Sequence, residues 1–63
     1  MPLITLTNIQ DPDDFYASLL AVHHGLTEPQ SHALNARLIL ILANHIGNRE
    51  TLDAALELAR GDA

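Results

Sequence analysis

Sixty-three residues allow one domain at most, and so small a domain removes only roughly 60% of its unfolded surface from water. Eight acids against three arginines and no lysine give a formal net charge of −5. That excludes the basic footprint of a nucleic-acid binder and disfavours an anionic membrane surface. With no cysteine, disulfides and thiolate metal sites are excluded as well, so the staple a small chain needs is most simply oligomerisation.

The hydrophobic fraction, 48%, is too high for a disordered chain. Phe15 and Tyr16 are the only aromatics, so the core must be aliphatic. The start, MPLITLTNIQ, lacks the charged and long apolar regions of a signal peptide. The longest apolar run, Leu38 to Ala43, is far short of a membrane span. These features predict a soluble, cytoplasmic protein of bacterial type.

Residues Met1 to Gln10 read as extended, with Leu3, Thr5 and Thr7 alternating with Ile4 and Leu6. One short strand is not stable alone. The segment either lies as a strap over the helices or pairs with the same segment of another chain. Asp11-Pro12 then opens a helix, with Asp11 as N-cap, Pro12 in the first position and Asp13 and Asp14 in the first turn. It runs to His24 and stops at Gly25. Phe15, Leu19 and Val22 share one face, extended by Tyr16 and Leu20.

Thr27 and Gln30 form a capping-box pattern, and the second helix runs from about residue 28 to Ile46, ending at Gly47. Asn48 caps the third, which runs from about 49 to 60 and closes at Gly61. Leu52, Ala55, Leu56 and Ala59 give it a narrow apolar stripe. The expected fold is all-α: a single domain over residues 1–63, three helices up-down-up with an extended N-terminal strap.

The second helix is unusual. Only Gln30, Ala33, Arg37 and Asn44 make a wet stripe on its wheel. Leu34, Leu38 and Leu42 are adequate to hold the three helices together, which leaves Leu40 and Ile41 as excess apolar surface. A two-fold homodimer, or a higher homo-oligomer, closing over Leu38, Leu40 and Ile41 is the simplest remedy. The alternative is that Leu3 to Ile9 fold back and cover the excess.

Four histidines invite a metal reading, but no His-x-x-His or His-x-x-x-His spacing occurs. A site could arise only by convergence of His23, His32 and His45 between helices. The plainer reading has His23 bonding carbonyls at the end of its helix. Ser31, His32 and Asn35 form a polar cluster on the inner side of the second helix. Ser31 and His32 point about 100° apart, poor geometry for a nucleophile and its base. The cluster therefore reads as structural, with Asn35 fixing the connection between the first two helices. Asp11, Asp13, Asp14, Asp53 and Glu57 read as helix-start and solvent-face charges. No catalytic residue and no cofactor is expected.

The run Thr27-Glu28-Pro29-Gln30-Ser31-His32-Ala33-Leu34-Asn35-Ala36-Arg37-Leu38, continuing through Leu42-Ala43-Asn44-His45-Ile46-Gly47, resembles a family of short bacterial helical proteins catalogued as a domain of unknown function. Asp11 to Tyr16 are similar too. The resemblance implies a self-contained helical family and transfers no activity. It also implies an accessory or regulatory role beside a flavin-dependent catabolic oxygenase, as an alternative to the leading expectation. That expectation is a non-enzymatic interaction protein, self-associating through its central helix.

Overall fold

The computed structural model of the chain describes residues 3–61. Three helices carry the fold: α1 over Pro12–His23, α2 over Glu28–Ile46 and α3 over Arg49–Arg60. No strand occurs among the described residues, so the protein is all-α. Met1 and Pro2, the start of the expected extended segment, lie outside the described residues.

Local chemistry accounts for the helix ends. At the start of α2 the Gln30 N–H donates to the Thr27 hydroxyl at 3.3 Å, and the Thr27 N–H donates to the Gln30 side-chain oxygen at 3.0 Å. This reciprocal pair satisfies two amides that a bare helix start leaves orphaned. At α3, Asn48 Oδ1 accepts from both the amide and the hydroxyl of Thr51. Gly47, at φ +73°, turns the chain between α2 and α3 and donates its N–H to the Ala43 carbonyl.

Asp11 departs from expectation. It precedes α1 in a left-handed conformation, φ 49° and ψ 59°, and its side chain makes no cap hydrogen bond. A capping side chain works from the extended region, where it can reach the second or third amide of the helix. In the left-handed region Asp11 serves as a turn residue instead, a role aspartate tolerates better than most.

Packing is thin throughout. α2 packs chiefly against α3. Leu34 and Leu38 on α2, and Leu52 and Ala55 on α3, are half-buried, but no described residue is fully buried. Leu42, expected in the core, is 48% exposed, and Leu56 of the α3 stripe is exposed as well. Two or three narrow helix faces cannot enclose a side chain on all sides. Nor does the N-terminal segment close over them. Residues 3–11 have no regular secondary structure, and Ile4, Leu6 and Ile9 themselves stand in solvent.

Two dimensions measure the openness. The chain exposes 5751 Å², where a folded monomer of 6.9 kDa exposes about 4,000 Å². Its radius of gyration is 13.5 Å, against about 11 Å for a compact chain of this length. The excess, about 1,700 Å² per chain, is the property that the rest of the molecule has to be reconciled with.

Candidate functional site

Two features stand out, and both sit on α2. The first is its apolar surface. Leu40 and Ile41 are 69% and 65% exposed, and Ile39, Leu42 and Ile46 are exposed too. Exposed apolar surface thus extends well beyond the residues singled out from the helical wheel. Leu38, grouped with Leu40 and Ile41 in the sequence, is instead half-buried. Between α1 and α2 runs a shallow hollow of about 230 Å³, lined by Val22, Leu34, Arg37, Leu38 and Ile41. Its walls are almost wholly aliphatic, with Arg37 contributing the stem of its side chain.

The second feature is a polar tether between α1 and α2. His23, in the last turn of α1, places Nδ1 3.0 Å from Ser31 Oγ and Nε2 3.0 Å from Asn35 Oδ1. A carboxamide oxygen only accepts, so Nε2 donates to Asn35, and in the neutral ring Nδ1 accepts from the Ser31 hydroxyl. Ser31 and Asn35 are four residues apart and so share one face of α2. The turn through Gly25, at φ +81°, brings that face under the end of α1.

This arrangement differs from the expected one in two respects. His23 bonds side chains of α2 rather than carbonyls at its own helix end. His32 takes no part in the cluster. Its side chain is 73% exposed and lies 3.9 Å from Glu28 Oε1, one turn earlier on the same helix. The 100° step that separates it from Ser31 carries it to the wet side. The sequence carries a signal for this tether: a Ser–Asn pair at i, i+4, facing a histidine that closes the preceding helix across a short turn.

Serine, histidine and asparagine are the residue types of a nucleophile, a base and its orienter. Acyl chemistry also needs amides aimed at a developing oxyanion. The backbone amides of Gln30 and Ser31, at the start of α2, are engaged elsewhere. The Gln30 N–H donates to Thr27 Oγ1 and the Ser31 N–H to the Thr27 carbonyl. The trio's hydrogen bonds join the last turn of α1 to α2.

The histidines do not converge. Thirteen residues separate His32 from His45 on one helix, an axial distance of about 20 Å. Among the described residues no group of three or more histidine or acidic side chains is placed to share a metal ion. Asp11, Asp13 and Asp14 line a hollow with Pro12 at the start of α1. Asp13 and Asp14 lie in the first turn, where the helix dipole favours negative charge. Among the described residues no helix is long and apolar enough to cross a membrane.

The model of a family described as protein of unknown function (DUF2783) matches residues 3–61, nearly the whole chain. The chain belongs to that family. No curated protein and no solved structure matches it.

Proposed function

We propose that this member of the DUF2783 family is a non-enzymatic interaction protein that works as a homodimer or higher homo-oligomer, closed over the apolar surface of α2. One observation carries the reading: the excess of about 1,700 Å² of accessible surface on a chain with no fully buried described residue. If two copies each withdrew that excess from water, the interface would total about 3,400 Å². This falls in the range of roughly 2,000–5,000 Å² that obligate homodimers bury. Apolar surface withdrawn from water contributes about 25 cal/mol per Å², the main favourable term open to so small a chain.

The reading places the function in the surface rather than in a catalytic group, and sets it in the cytoplasm. Size-exclusion chromatography with light scattering at micromolar concentration tests it. The expected mass is twice the 6.9 kDa of the chain, or a higher multiple. A clean 6.9 kDa monomer would overturn it.

A further inference from the structure

We infer that the N-terminal segment, residues 3–10, reaches onto a second copy of the chain and seats Leu6 in the hollow between that copy's α1 and α2. The inference rests on the self-association proposed above and names the parts that meet.

Leu6 is 84% exposed, the most of any large apolar side chain among the described residues, with Ile4 and Ile9 exposed on either side of it. The hollow lined by Val22, Leu34, Arg37, Leu38 and Ile41 stands open on the same chain. The segment does not fill the hollow of its own subunit. At about 230 Å³ the hollow has room for a leucine side chain, since an apolar cavity of roughly 150 Å³ already takes a benzene.

Length fits as well. Eight extended residues span up to about 27 Å, close to the roughly 28 Å of the nineteen-residue α2. A segment laid along that helix brings Ile4, two residues from Leu6 and so on the same face of an extended chain, over apolar surface beside the hollow. Charge also fits. Residues 3–10 carry no ionisable side chain in a chain of net charge −5, so this part approaches an acidic copy unopposed. The hollow's lining is almost wholly apolar, with Arg37 contributing its aliphatic stem, which suits an uncharged apolar segment. Knob and hollow are carried by the same chain at different places. A two-fold axis therefore makes each contact twice, once in each direction.

The chain has no cysteine, so disulfide trapping reports only the residues introduced. Leu6→Cys protein is mixed with Ile41→Cys protein and mildly oxidised, with Glu57→Cys on the exposed side of α3 as the reference partner. A disulfide requires the two Cα atoms within about 7 Å, so the trap reads geometry. The expected result is a Leu6–Ile41 covalent heterodimer formed in clear preference to the Leu6–Glu57 one. Equal trapping of the two would overturn the inference. In wild-type protein that is dimeric by light scattering, that outcome removes the segment's role and leaves self-association standing, whereas a monomeric wild type removes both. A second measurement needs no cross-link. Leu6→Ser, carried by both copies, should raise the dimer dissociation constant about a hundredfold or more, as for two aliphatic side chains left in water. Helical circular dichroism should be unchanged at saturating concentration. An unchanged dissociation constant would count equally against the inference.

Discussion

His23 Nε2 lies 3.0 Å from Asn35 Oδ1, twelve residues away, and this bond ties the last turn of α1 to α2. The Ser31 contact, also at 3.0 Å, adds a second side-chain hydrogen bond between the same two helices. A molecule without a closed core depends on such a tether more than a packed one does.

His23→Ala should therefore destabilise the fold by about 1–2 kcal/mol, from two hydrogen bonds each worth roughly 0.5–1.5 kcal/mol net. Asn35→Ala should cost less, because the freed ring N–H reaches water. The double variant should show a coupling of about 0.5–1 kcal/mol, read by a thermodynamic cycle from urea melts. His32→Ala is the contrast. Its contact with Glu28 is long and exposed, so its effect should stay within about 0.5 kcal/mol. Equal effects at His23 and His32 would remove the tether.

The helix starts give a second contrast. Thr27→Ala breaks an observed capping box and should cost about 1 kcal/mol. Asp11→Gly breaks no cap bond and relieves a left-handed backbone, so stability should hold or rise by up to about 1 kcal/mol. Gly47→Ala should cost about 1 kcal/mol through its positive φ alone. The new Cβ would meet only the Asn44 carbonyl, at an ordinary 3.8 Å. Thermal melts followed at 222 nm check all three.

The all-α class was legible because its signals are local. Thr27 and Gln30 sit three residues apart, and Asn48 directly precedes a polar first turn, so each helix start is written in a few neighbouring residues. The conformation of Asp11 was not legible, since Asp-Pro suits both a cap and a turn. Nor was the exposure of Leu42. A wheel shows which residues share a face, and it is silent on how closely another helix approaches that face. The His23 contacts were hidden for the same reason. They depend on the path of the turn through Gly25, which periodicity does not encode. His32 lies within the apolar arc of the wheel yet stands in solvent, because no neighbouring helix approaches that part of α2.

Charge supplies a third prediction. Copies of net charge −5 repel as they associate, and salt screens that repulsion. Association should therefore tighten as sodium chloride rises from about 20 to 150 mM, over which the Debye length falls to roughly 8 Å. An interface held by ion pairs would weaken instead. Sedimentation equilibrium across that range gives the sign directly.

The last prediction concerns what folds. Without a fully buried residue among those described, the isolated chain has little to set against its conformational entropy. Folding and association should then be one event, and the melting temperature should rise with protein concentration. For a dimer of two 63-residue chains, typical per-residue enthalpies give about 5 °C for each tenfold increase. Leu40→Glu and Ile41→Glu place a charge on the surface proposed to be covered, and should lower the melt and shift association to higher concentration. Leu58→Glu, on the equally exposed but separate surface of α3, should leave both nearly unchanged. A melting temperature independent of concentration over two decades would show that the monomer folds alone, and the role assigned to α2 would have to be abandoned.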